Sequence, residues 1–108
     1  MIKEYNKLIR DRIPEIIKKA GEAPQVRVLD EEEYISEIKK KILEEAKELV
    51  EAKNKKEVIN EIIDIQELID SLIAEIGLSK LEVWELQRRK NKKRGGFKKR
   101  LFLIKTEK

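Results

Sequence analysis

"EVINEIIDIQELIDSLIAEI", residues 57–76, places an apolar residue at almost every contact position of one helix face. Val58, Ile62, Ile65, Ile69, Leu72, Ile73 and Ile76 recur at helical spacing, and Leu68 extends the face to one side. Two acids interrupt it. On a helical wheel Glu61 falls between Leu68 and Leu72, inside the apolar arc, and Asp64 lies just past Leu68. A charge inside an apolar arc is costly unless it has a partner. Ile59 and Ile63 widen the arc beyond a single face, which predicts burial at the centre of a homo-oligomer, a dimer in the first instance.

The neighbouring segments give this helix a setting. Asn54 followed by Glu57 has the form of an N-terminal cap, and Gly77 suits the residue that ends the helix. Upstream, Asp30 with Glu33 opens another long helix, whose apolar positions are Ile35, Ile38, Ile42, Ala46 and Leu49. Its pattern breaks at "AKNKKE" (52–57), so the two helices are expected to form an antiparallel hairpin. Ser79 with Glu82 opens a third helix, running to about Lys92, and "RGGF" (94–97) reads as a turn. Near the N-terminus, residues 12–20 form a short helix, with Pro14 in its first turn and Gly21 after its end. "QVRVL" (25–29) alternates and is β-prone, and "RLFLI" (100–104) is a second candidate strand able to pair with it. The expected fold is a single mainly α domain over 1–108, with the hairpin in a four-helix-type arrangement and a minor two-stranded β element.

Composition excludes several chemistries. The 108 residues include no Cys and no His, which removes disulfides, thiolate chemistry, Ser-His catalysis and His-based zinc sites. Any metal must be held by oxygen, which points to a hard cation such as Mg²⁺ or Mn²⁺. No run approaches the roughly 18 apolar residues of a membrane span, and "MIKEYNKLIRDRIPEII" (1–17) is charged every few residues, unlike a signal peptide. A cytoplasmic protein without a membrane partner is expected. The net charge of +4 hides an asymmetry: Arg88 to Lys105 holds ten Lys or Arg and no acid, so the remainder is acidic.

With 44% of residues charged, acid clusters are ordinarily solvated helix surface. "EEAKE" (44–48) is less uniform than that. Glu45 and Glu48 form an i,i+3 pair at the edge of the apolar stripe, whereas Glu44 lies near the opposite pole. A hairpin turning near Asn54 sets Glu48 at about the depth of Glu61 and Glu45 at about that of Asp64. Four carboxylates facing one another would repel, and a hard divalent cation between them resolves the conflict, as in bundles that carry metal on facing helices.

"EEAKE" followed by "EIID" (61–64) resembles the EExxE…ExxD signature of the all-α nucleoside triphosphate pyrophosphatases, the MazG-like and phosphoribosyl-ATP pyrophosphohydrolase-like proteins. "YNKLIRDRIPEII" (5–17) and "RGGFKKRLFL" (94–103) resemble the terminal motifs of a subfamily regarded as house-cleaning enzymes for abnormal nucleotides. The resemblance implies Mg²⁺-dependent hydrolysis of a nucleoside triphosphate between its α- and β-phosphates, giving the monophosphate and pyrophosphate, with no organic cofactor. It implies Glu45, Glu48, Glu61 and Asp64 as metal ligands and Glu44 as a weaker one. Glu48, beside Glu45, is the candidate base for the attacking water. Positive charge for the phosphates would come from Lys90, Lys93 and Arg94 with Gly95 and Gly96, and from Lys7 and Arg10, with Asn6 a weaker contact. Trp84 is read as core or interface.

A different class of function would use the basic stretch 88–105 to bind nucleic acid. It predicts salt-dependent binding without divalent metal, and it leaves Glu61 unexplained. A nucleotide is therefore the expected partner, and nucleic acid is not.

Overall fold

A computed structural model describes residues 1–108. It contains four helices, α1 (Ile13–Lys19), α2 (Glu31–Glu51), α3 (Lys55–Glu75) and α4 (Lys80–Arg94). The chain divides into two compact units, Met1–Gly77 and Leu78–Lys108. No helix is long and apolar enough to cross a membrane.

In the first unit the starts of both long helices are set by their own sequence. The Asp30 side chain accepts the Glu33 N–H at 2.8 Å, and Asn54 accepts the Glu57 N–H at 2.9 Å. Each satisfies one amide that the helix cannot pair internally, a contribution of about 0.5–2 kcal/mol. In neither case does the glutamate side chain return to the N–H of the cap residue. Arg27 takes the Glu33 carboxylate, with Nη2–Oε2 at 2.7 Å, and Glu57 Oε2 accepts from Lys53 N–H at 2.7 Å. Ala52 ends α2 in an extended conformation (φ −61°, ψ 131°), leaving a short connection in which the chain reverses.

α2 and α3 then pack against each other along their apolar faces. Ile38 on α2 is fully buried, and Ile35, Ile42, Ala46, Leu49, Val58, Ile65, Leu68, Leu72 and Ile73 are half-buried. A single hairpin covers only one side of so apolar a helix. Ile59, Ile62, Ile63 and Ile69 along α3 and Ile76 at its end stay 38–56% exposed. Gly77, at φ +82°, ends α3 in a conformation that costs a side-chain-bearing residue far more.

In the second unit, α4 carries the reciprocal capping box: the Ser79 hydroxyl accepts from Glu82 N–H at 3.1 Å and Glu82 Oε1 from Ser79 N–H at 3.2 Å. The helix reaches Arg94, one half-turn beyond the expected end, and Gly95 (φ +83°) terminates it. The turn expected at 94–97 lies further on, closed by Arg100 N–H to the Phe97 carbonyl at 3.0 Å.

The β element is not formed: the chain has no strand, at 25–29, at 100–104 or elsewhere. Alternation favours extended backbone, but a strand exists only when its N–H and C=O groups find a neighbour. Val26 and Val28 are 58% and 96% exposed, and Leu101 to Ile104 are 79–89% exposed. Neither segment gains the burial that would repay pairing.

Candidate metal centre

Three carboxylates converge in the middle of the hairpin. One oxygen from each of Glu45, Glu61 and Asp64 lies within 4.8 Å of the other two. The register follows from the connection. With α2 ending at Glu51 and α3 starting at Lys55, Lys53 is the midpoint, and Glu45 and Glu61 are equidistant from it. Glu45, rather than Glu48, therefore stands level with Glu61. Asp64 joins from one helical turn along α3.

Glu45 is only 8% exposed, an exceptional position for a carboxylate. Burial pushes its carboxyl up, to about 8, and hydrogen bonding and charge from Glu61 and Glu48 push it the same way. The Oε2 atoms of both Glu45 and Glu61 are buried with no hydrogen-bond partner. An ionised carboxylate only accepts, so two of them cannot satisfy each other. A proton or a cation must lie between them. Three oxygens at this spacing suit a hard divalent ion, whose opposite ligands stand about 4.2 Å apart at a bond length near 2.1 Å. The donor set and its two unpartnered buried oxygens thus fit Mg²⁺ or Mn²⁺.

The other expected site residues fall in different places. Glu48 is exposed beside Glu45, outside the converging trio, and Glu44 is exposed. Lys7 is exposed, with Nζ 5.4 Å from the Tyr5 ring centroid, and Asn6 adopts φ +46°. Arg10 reaches the trio itself: its Nη2 donates to Asp64 Oδ1 at 2.7 Å. No sequence pattern signals that contact, which joins residues 54 positions apart. Lys90, Lys93, Arg94, Gly95 and Gly96 belong to the second unit, at the exposed C-terminal end of α4 and just beyond it. Trp84 is 51% exposed, and the Arg88 guanidinium stacks 4.8 Å from its ring centroid.

Comparison with known proteins places this arrangement. An uncharacterized protein of Mycolicibacterium smegmatis (strain ATCC 700084 / mc(2)155) is 45% identical over 42 residues, which is 39% of this chain and 43% of that protein. The chain thus spans less than half the length of that curated relative. No solved structure matches it. The family model described as phosphoribosyl-ATP pyrophosphohydrolase matches residues 2–91, a range holding both long helices and all three converging acids. That family, within the MazG-like all-α NTP pyrophosphatase superfamily, comprises hydrolases acting on a phosphoric anhydride bond. The chain belongs to the phosphoribosyl-ATP pyrophosphohydrolase family.

Proposed function

We propose that the protein is a divalent-metal-dependent nucleotide pyrophosphohydrolase that opens the α–β phosphoanhydride bond of a nucleoside triphosphate or related nucleotide. The observation that carries this reading is the pair of buried, unpartnered carboxylate oxygens of Glu45 and Glu61 beside Asp64, in a chain of this family. Glu45, Glu61 and Asp64 would hold Mg²⁺ or Mn²⁺, with Glu48 completing the set from its exposed position and Glu44 a weaker contributor. A bound divalent cation supplies charge neutralisation for phosphate oxygens and lowers the pKa of an attacking water.

The chain's own groups do the rest. Glu48 is exposed and adjacent to Glu45, so it is free to orient a water and take its proton. The water oxygen forms the new P–O bond, the α–β bond breaks, and the products are the monophosphate and pyrophosphate. In the first unit Lys7 and Arg10 offer cationic donors to phosphate, with Asn6 a weaker contact. In the second, Lys90, Lys93 and Arg94, with the Gly95–Gly96 backbone, form a concentration of charge suited to attracting a polyphosphate. The resemblance of the terminal motifs to the house-cleaning subfamily is what supports a role on abnormal nucleotides; the acids address phosphates that every nucleotide shares. No observation favours the nucleic-acid reading of residues 88–105.

A homodimer accompanies this proposal. Four α3 isoleucines and Ile76 just after the helix are each at least 38% exposed, and Leu43 and Val50 on α2 are 58% and 85% exposed. Burying one such side chain fully contributes about 1.5–3 kcal/mol, and a second copy of the hairpin would supply the missing cover.

The test is pyrophosphate release from a panel of normal and modified nucleoside triphosphates and phosphoribosyl-ATP, with Mg²⁺, with Mn²⁺ and with chelator. Metal-dependent release from at least one compound is expected. Silence across the panel, or release unaffected by chelator, would remove the proposal.

A further inference from the structure

Arg10 is the one cation bonded to the acidic trio, and it comes from outside the hairpin. Its Nη2 donates to Asp64 Oδ1 at 2.7 Å, with side-chain exposures of 54% and 30%. A carboxylate has two oxygens, so this bond leaves Oδ2 available to a metal while restraining where Oδ1 can turn. The guanidinium has five N–H donors, and its half-exposed position leaves others open to a ligand. The backbone behind it is held as well. Ile13 N–H donates to the Arg10 carbonyl at 3.0 Å, which ties Arg10 to the start of α1, and the preceding Leu8 and Ile9 are half-buried. The segment before α1 therefore docks on the hairpin with its one direct ion pair on a candidate metal ligand.

We infer that Arg10 is a positioning residue for the metal centre: by orienting Asp64 it makes docking of the segment before α1 and cation binding a single coupled event. This rests on the metal-centre reading above and goes beyond it, because Arg10 is assigned to holding a candidate metal ligand and not only to contacting phosphate. Coupling of this kind is reciprocal. If Arg10 prepares Asp64 for the cation, the bound cation in turn holds Arg10 and its segment in place. Arginine suits the role because its rigid, planar guanidinium donates along a fixed N–H direction, whereas the ammonium of lysine acts as a rotating point charge.

The experiment uses Mn²⁺ alone, with no nucleotide, titrated calorimetrically into the full chain and into Arg10→Ala and Arg10→Lys. Hydrogen exchange over residues 8–13 is measured with and without the ion. Arg10→Ala is expected to bind Mn²⁺ ten- to a hundredfold more weakly, the usual loss when a carboxylate ligand is left without its orienting partner, and Arg10→Lys to recover part of that loss. In the wild type Mn²⁺ should slow exchange at 8–13, and in Arg10→Ala it should not. Circular dichroism confirms that each variant is folded, and the Lys variant serves if the Ala variant is not. Unchanged or tighter Mn²⁺ binding by folded Arg10→Ala, or by Arg10→Lys where the Ala variant does not fold, overturns the inference while leaving the metal centre standing; tighter binding would mean that the guanidinium merely occupies the cation's place. A wild-type chain that does not bind Mn²⁺ overturns both.

Discussion

Replacing Glu45 with Gln should make the metal-free protein more stable, although it removes a candidate ligand. The buried Glu45 carboxyl titrates near 8 in the folded chain, against 4.5 for an unperturbed glutamate. Between those values the folded chain keeps a proton that the unfolded chain has released, so its stability falls as pH rises from about 4.5 to about 8, and levels off above. Integrating that difference puts the destabilisation at no more than about 4 kcal/mol at pH 8 and about 1 kcal/mol at pH 5. Gln does not titrate, and its amide can donate to the unpartnered Glu61 Oε2. In chelator at pH 8 the variant should therefore melt well above the wild type, on the order of 10–20 °C for a domain of this size. The gap should close by most of its width at pH 5.

Adding Mg²⁺ or Mn²⁺ at pH 8 should raise the wild type towards the variant, by about 2.7 kcal/mol at a hundred times the dissociation constant. The variant should gain little. Thermal melts by circular dichroism at pH 5 and pH 8, each with chelator and with metal, read all of these terms. A Glu45→Gln variant no more stable than wild type in chelator at pH 8 would mean that the Glu45 carboxylate carries no such cost. A difference that does not shrink at pH 5 would rule out that cost equally.

Other expectations draw on separate features. Glu48→Gln should leave Mn²⁺ affinity within about tenfold while lowering turnover by roughly 10²–10⁴-fold, the usual range for a general base; single-turnover assays with calorimetry separate the two effects. Ile38→Ala removes the one fully buried apolar side chain and should cost about 2–5 kcal/mol in urea unfolding. On the dimer proposal the wild type should sediment as a dimer, and Ile59→Lys with Ile63→Lys, at positions 45% and 56% exposed, should convert it to a monomer. A dimer that persists in the double variant would move the interface off that face. Asp30→Ala should cost about 0.5–2 kcal/mol through loss of the α2 cap.

What the sequence made legible divides by the range of the interaction concerned. The caps at Asp30, Asn54 and Ser79 could be read because each pairs a side chain with an amide three residues on, within a pattern that local spacing displays. Glu61 stood out for a related reason: one helix wheel suffices to show a carboxylate among isoleucines and leucines. Strand pairing is not local, and alternation at 25–29 could not reveal whether a partner was there. Facing residues in the hairpin are an intermediate case. Which glutamate meets Glu61 depends on where the connection is centred, and the extended backbone at Ala52 moves that centre to Lys53, which selects Glu45 over Glu48. The Arg10–Asp64 bond lies at the far end of this range. It joins a segment before α1 to the middle of α3, across 54 positions. In a chain with 26 basic and 22 acidic residues, charge pattern alone could not have singled out that pair. The candidate ligands on the hairpin were thus accessible to a helix-by-helix reading, but their pairing across it was not. Arg10 required the fold, because only the folded chain brings its guanidinium to Asp64.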